Sequence, residues 1–198
     1  MRGDFVYLAS RSPRRAELLR QLGVGFRVVS APVDEAVLAD ESPQHYVQRL
    51  ARAKAEVALP AVAGESQAPL LAADTAVVVD DTILGKPQNR EHGLAMLARL
   101  AGRSHRVLSA VALWTPAGLR EALSTSEVRF RAIARAEAEA YWDTGEPADK
   151  AGGYAIQGYA AVFIEWLQGS YSGVMGLPLY ETAKLLRQAG LEVMMKHS

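Results

Sequence analysis

LLAADTAVVV, residues 70–79, is a near-continuous apolar run interrupted only by Asp74 and Thr75. A strand covered on both faces reads this way, because neither side has to present polar side chains to water. Such a strand needs a sheet with helices around it, and the flanking sequence supplies both. Upstream, FVYLA (5–9) and FRVVS (26–30) are strand candidates. A helix from Pro13 to Leu22 lies between them, with Ser12 as N-cap and Gly23 just past its end. Ser42 and Pro43 repeat that start for a helix reaching about Ala58, in which Tyr46, Val47, Leu50, Ala51 and Lys54 share one face. AVAGESQAP reads as a loop.

Downstream, DDT (80–82) turns the chain, GKP (85–87) closes that unit, and residues 90–101 form an amphipathic helix stopped by Gly102. RVLSAVALW (106–114), a TPAG turn and STSEVRFRAI (124–133) predict an antiparallel hairpin. ARAEAEAYW predicts a short helix, AAVFIEWL (160–167) a strand, PLYETAKLLRQAG (178–190) a capped helix and LEVMMK a final strand. Helices interspersed with strands, plus a hairpin, indicate an α/β protein with a mixed twisted sheet.

Composition narrows the chemistry. The 198 residues hold no cysteine, which excludes disulfides, a thiolate nucleophile and a Cys-ligated zinc, and fits a reducing compartment. Twenty-two basic residues balance 22 acidic ones. No global field therefore draws the protein to nucleic acid or an anionic membrane, and any anion site is local. MRGDFVYLAS lacks a long apolar h-region and carries Asp4, which argues against a signal peptide, and no run is long enough to span a membrane. A soluble cytoplasmic protein without nucleic-acid or membrane partners is expected.

Four stretches carry candidate chemistry. In SRSPRR, Arg14 and Arg15 fall in the first turn of a helix, where the macrodipole disfavours cations. An anion among them would reverse that, and Ser10, Ser12, free amides and two guanidinium forks suit a phosphate. Pointing to solvent, or pairing with Glu17, Asp34 or Glu35, is the plainer alternative. Asp74, inside an apolar strand, needs a cation, a hydrogen-bond donor or a metal. It is either a structural acid paired with Lys54 or Lys86, or a metal ligand or general base. Lys86 in GKP is no Walker lysine, since Pro87 follows, yet it can present a point charge to phosphate. DKAGGYAIQG (149–158) is not a dinucleotide fingerprint, because a strand follows rather than a helix. Its glycines allow close approach of a ligand, and Gln157 offers both donor and acceptor to a base edge. GSYSGVMGLP forms a further wall. The histidines (45, 92, 105, 197) make no ligand motif, and neither Ser10 nor Ser12 sits in a nucleophile elbow.

Six blocks, LASRSPRRAELL, SPQHYVQRLARAKA, AADTAVVVDDTILGKP, AGRSHRV, DKAGGYAIQG and GSYSGVMGLPL, in this order resemble the Maf family of nucleoside triphosphate pyrophosphatases, named for an association with inhibition of septum formation. The resemblance covers nearly the whole chain. It implies one unit over 1–198, two lobes around a deep nucleotide cleft as in inosine triphosphate pyrophosphatases, and hydrolysis of a nucleoside triphosphate to monophosphate and pyrophosphate. A divalent metal, Mg2+ or Mn2+, is implied, and by family analogy alone a homodimer. Asp74 matches the catalytic carboxylate. Arg14, Thr75 and Gln157 match positions tied to substrate choice in the subgroup acting on dTTP and UTP. Ser10, Arg15, Glu35, Lys54 and Lys86 match other polar cleft positions, and Glu35 with Asp74 would hold the metal. Ala101 departs from the serine common in its block, and Ser109 stands where threonine or serine occurs. A non-catalytic nucleotide-binding regulator of division, and a pyrophosphatase of the 7-methyl-GTP type, stay open as alternatives.

Overall fold

The computed structural model describes residues 5–64 and 67–194. β1 (Phe5–Leu8), α1 (Pro13–Gln21) and β2 (Gly25–Val28) form a first βαβ unit, with Phe5 opposite Gly25 in parallel register. α2 (Pro43–Val62) crosses to β3 (Leu70–Val79), parallel to β1 with Tyr7 opposite Leu70. Thereafter the pairing is antiparallel: β4 (Thr82–Leu84) folds back on β3, then α3 (Arg90–Leu100) precedes β5 (Ser104–Thr115) and β6 (Gly118–Phe130). α4 (Arg135–Asp143), β7 (Ile164–Gln168), α5 (Tyr171–Met175) and α6 (Leu179–Gln188) complete the described chain. The seven strands make one mixed sheet in the order β2-β1-β3-β5-β6-β7, with β4 beside β3.

β3 is the axis of this sheet, and its alternation sorts the core. Leu70, Ala72, Ala76 and Val78 face α2 and pack with Val47, Leu50, Ala51, Ala55 and Ala58. On the opposite face Leu71 and Ala73 join a cluster with Leu18 and Leu19 of α1 and Leu185 and Leu186 of α6. Val77 and Val79 of that same face belong to a separate cluster with Leu97 and Leu100 of α3, Phe130 and Tyr141. The two clusters part at Thr75. The apolar run is thus buried on both faces, as its composition requires.

Several elements differ from expectation, each for a local reason. α2 continues past Ala58 to Val62 with Pro60 inside it, because Ala63 N–H still closes on Leu59 O at 3.0 Å. Asp80 (φ 49°) and Asp81 (φ 56°) form the expected turn, but a three-residue strand, too short to show a period, follows it. The hairpin strands extend to Thr115 and begin again at Gly118, since LREAL pairs fully with β5 without showing alternation. Residues 131–133 lie outside the strand. The expected strand 160–167 starts only at Ile164, because Tyr159–Phe163 coil into a 3-10 turn whose amides bond elsewhere. α5, at five residues, is too short to show a helical period in the sequence. Residues 191–194 are not a strand; Met194 N–H bonds Leu22 O, and residues 195–196 lie outside the described residues. Ser12 occupies the N-cap position of α1 without a side-chain cap bond, whereas Ser42 accepts from His45 N–H at 3.3 Å.

His105 is a core histidine with only one ring nitrogen hydrogen-bonded among the described residues. It is 3 % exposed, edge-on to Phe130 and Tyr154, with Nε2 2.8 Å from the Tyr154 hydroxyl, while Nδ1 has no hydrogen-bond partner among the described residues. Burial pushes its pKa down from 6.5 to about 4. Between those values the unfolded chain binds a proton that the folded one refuses, so stability is full above pH 6.5 and falls toward pH 4. The loss assignable to His105 across that window is up to about 3 kcal/mol. Melting temperature measured from pH 7 to pH 4 should therefore fall less steeply for His105→Gln than for the parent protein. Parallel curves would show that the histidine is not held neutral.

Candidate active site

The site follows from a gap in the sheet. β1 ends at Leu8 and covers the edge of β3 only as far as Leu71, while β4 covers it again from Val77. Between these points the edge carrying Asp74 and Thr75 has no neighbouring strand among the described residues, so side chains from both faces of β3 reach one opening. A crevice beyond the carboxyl end of a parallel strand is where open α/β sheets bind ligands. Here it is a cavity of about 600 Å³ walled by residues 9–15, 30–33, 35, 74–77, 83–86, 149–151, 154, 155, 157 and 174–176, with Tyr46 and Lys54.

Lys54 reaches the cavity from the face of α2 that packs on β3. Its Nζ donates to Asp74 Oδ1 at 2.6 Å and to Glu35 Oε1 at 2.7 Å. The Asp74 and Lys54 side chains are 9 % and 11 % exposed, so this is a buried ion pair extended by a half-exposed second acid. Burial pushes the Asp74 carboxyl above the ordinary carboxylate range, and Lys54 and Arg15 pull it back only in part. Glu35 shows the opposite balance. Burial opposes its charge, but the Lys54 bond and the charges of Lys54, Lys86 and Arg15 outweigh it, so its pKa is lowered. Two acids sharing one ammonium are thereby set apart, one poised nearer neutrality and one firmly ionised.

On the other face, Arg15 is locked from three sides. Nε donates to Gly176 O at 2.8 Å, Nη1 to Ser10 Oγ at 3.2 Å and Nη2 approaches Thr75 Oγ1 at 3.5 Å. Thr75 Oγ1 lies 2.8 Å from Ser109 Oγ, which donates to Gly173 O at 2.6 Å, so strand β5 and helix α5 brace the same point. Burial lowers the pKa of both Arg14 and Arg15, yet both remain guanidinium ions at any working pH. Among the described residues the plainer pairing for these arginines does not occur: Glu17 bonds Arg20, Asp34 accepts the Ala36 amide and Glu35 bonds Lys54.

All nine site residues named from the sequence, Ser10, Arg14, Arg15, Glu35, Lys54, Asp74, Thr75, Lys86 and Gln157, line this one cavity. Lys86 and Gln157 are exposed at its rim. Lys150 and Tyr46 were missed. Lys150 is 15 % exposed beside Asp149, and Tyr46 donates to Glu35 O at 3.0 Å. Lys150 lies in DKAGG, where the two glycines carry the stronger local signal. Gly152 (φ 68°) brings that segment against β3, where a Cβ would stand 2.8 Å from Val77, and its amide bonds Gly85 O at 3.0 Å. Lys86 and Lys150 are thus delivered to one wall. In a chain of zero net charge, the cavity gathers six cations, Arg11, Arg14, Arg15, Lys54, Lys86 and Lys150, against the acids Glu35, Asp74 and Asp149.

The fold and this cleft define an α/β protein built to receive a polyanion beside a buried carboxylate. Residues 5–189 match the family model described as Maf-like protein, and the chain belongs to that family. It is 55 % identical over 186 residues to the dTTP/UTP pyrophosphatase of Alkalilimnicola ehrlichii, covering 91 % of each chain. It is 52 % identical to that of Methylobacillus flagellatus over 95 % of this chain and 94 % of the relative. With the dTTP/UTP pyrophosphatase of Cupriavidus metallidurans it shares 53 % identity over 95 % of this chain and 98 % of the relative. Among solved structures, the Staphylococcus aureus Ham1 protein overlays 63 % of this chain and 71 % of its own at 12 % identity, with a TM-score of 0.36.

The shared ammonium leads to a test of its own. Lys54→Met strands the buried Asp74 without its partner and should cost about 3 kcal/mol in urea unfolding, and adding Asp74→Asn should restore much of that loss. Equal stability of parent and single variant would remove the coupling.

Proposed function

We propose that this protein hydrolyses dTTP and UTP to the nucleoside monophosphate and pyrophosphate. The observation that carries the reading is the convergence of six cations on one cavity beside a buried acid in an otherwise neutral chain. The substrate class comes from the names of relatives that are 52–55 % identical over nearly their whole length.

A triphosphate carries about four negative charges at neutral pH, which Arg14, Arg15, Lys54, Lys86 and the first-turn amides of α1 balance. Lys54 engages one oxygen of the Asp74 carboxylate, leaving the other to take the proton from a water attacking the α-phosphorus. A carboxyl raised by burial suits that role, since a general base works best with a pKa nearer the working pH. Arg15, held by Gly176, Ser10 and Thr75, fixes the direction of the phosphate chain. Ser10 Oγ also accepts the Ser12 amide at 3.2 Å, so the loop ahead of α1 is fixed before substrate arrives.

A divalent cation fits this donor set. Glu35 and Asp74 already share one cationic group, and Mg2+ or Mn2+ is commonly held by one or two carboxylates together with substrate phosphates. Among the described residues no group of three or more His, Asp or Glu is gathered for a metal, so Glu35 and Asp74 would hold one that arrives with the nucleotide. It would supply charge neutralisation at the phosphates. Gln157 at the rim has the donor and acceptor needed for the O4 and N3 edge of thymine or uracil. Among the described residues no helix is long and apolar enough to cross a membrane, and a cysteine-free chain suits the reducing cytoplasm.

Pyrophosphate release from a nucleotide panel, with and without magnesium, tests the assignment. Asp74→Asn should lower kcat by at least about 100-fold, and retained turnover would overturn its role as base. Gln157→Ala should lower kcat/KM for dTTP and UTP by an amount equivalent to about 1 to 3 kcal/mol while changing CTP and 7-methyl-GTP far less. An unchanged ranking of bases would remove Gln157 from recognition.

A further inference from the structure

Glu146 lies outside the cavity lining, yet its carboxylate is committed to the segment that carries Gln157. Oε2 accepts the amide of Tyr159 at 2.9 Å, and Oε1 accepts the amide of Ala160 at 3.3 Å and the hydroxyl of Tyr141 at 2.8 Å. The same Tyr141 oxygen accepts the amide of Ala155 at 3.3 Å. Ala155 and Tyr159 flank Gln157 by two residues on each side, so one phenol-carboxylate pair holds both ends of the turn. A backbone bond from Gly158 N–H to Ala155 O, 3.0 Å, closes it from within.

Gly158 leaves room for this contact. A Cβ on Gly158 would stand 2.0 Å from Glu146 Oε2 and 2.4 Å from its carboxyl carbon. Glycine is therefore required there by the carboxylate behind it rather than by its own dihedral angles, which are extended. Tyr141 is buried on α4, and Glu146 is half-buried. Burial first, and the Glu146 bond and charge second, hold the Tyr141 hydroxyl protonated well above its ordinary range, so it stays a donor to the acid. Glu146 has no salt bridge among the described residues, and its acceptor capacity goes to the turn.

From these contacts we infer that Glu146 and Tyr141 are positioning residues that preorganise the Ala155–Tyr159 turn and thereby set the base preference of the cleft. This rests on the reading that Gln157 meets the base. A preordered turn removes the ordering cost from each binding event and keeps the Gln157 amide aimed in one direction, which is what separates pyrimidines differing at position 4. Loosening the turn leaves the phosphate-binding cations and Asp74 in place, so the effect falls on base selection and apparent affinity rather than on the chemical step.

The test compares kcat and KM for dTTP, UTP and CTP in the parent protein, Glu146→Gln, Tyr141→Phe, Gly158→Ala and Gln157→Ala. Glu146→Gln replaces one acceptor by an NH2 that opposes a backbone donor, and Tyr141→Phe, the milder change, deletes the hydroxyl alone. Each should raise KM for dTTP and UTP by about 5- to 10-fold, leave kcat within about twofold and reduce the preference over CTP by the same factor as KM. Gly158→Ala should reproduce this by pushing the carboxylate away. Combining Glu146→Gln with Gln157→Ala should add little to the loss of preference from Gln157→Ala alone. If Gln157→Ala abolishes the preference while Tyr141→Phe and Glu146→Gln keep it, the positioning role is wrong and the base reading stands. If Gln157→Ala leaves the preference intact, the base reading fails and this inference fails with it. Uniform loss of kcat and thermal stability with an unchanged base ratio would mark the pair as merely structural.

Discussion

An ionised carboxylate inside an apolar strand is the costliest feature of this chain, and the ammonium of Lys54 is what makes it tolerable. Asp74 is 6 % exposed and bonded to Lys54 at 2.6 Å. Lys54 is available there because its helix lays an apolar stripe on the same face of β3, with the lysine continuing the spacing of Tyr46, Val47, Leu50 and Ala51. Packing and charge compensation are one arrangement. Shifting the register of α2 on the sheet by one turn would still bury an apolar stripe but leave Asp74 without its partner.

The second constraint is the length of β1. Four residues suffice to pair with β2 and to begin pairing with β3, but not to cover β3 as far as Asp74. The exposed edge converts a buried strand into one wall of a cleft and lets neighbouring residues that point to opposite faces act in one space. Thr75 connects to Arg15 and to the Ser109–Gly173 relay, and Asp74 connects to Lys54 and Glu35. Cations from four separate segments then meet in a protein with no net charge, and their mutual repulsion is what a polyanionic ligand relieves.

What could be read from the sequence divides by range. Strands and helices with strong periodicity were legible: β3 from its apolar run, α1 from proline at its start and glycine past its end, and the Asp80–Asp81 turn from residue type. The site residues were legible partly on physical grounds, since Asp74 in an apolar strand and arginines in a first helical turn each lack local compensation, and partly through family likeness. Lys150 was passed over because its neighbours, two glycines, carried a stronger backbone signal. Glu146 was passed over because an acid in a loop is ordinary until its acceptors are seen bonded to amides thirteen and fourteen residues away.

By itself the sequence determined that the fold is a mixed α/β sheet around one fully covered strand, that cysteine chemistry is absent, and that a buried acid needed a partner. These follow from side-chain type and local spacing, which act within a few residues. Only the tertiary structure decided which partner it has, Lys54 rather than Lys86, that α5 helps wall the cleft, and that the Glu146–Tyr141 pair bonds the backbone on either side of Gln157. Those choices depend on where the edge of β3 is left uncovered and on hydrogen bonds between distant segments. Neither leaves a period or a composition that a linear reading can detect.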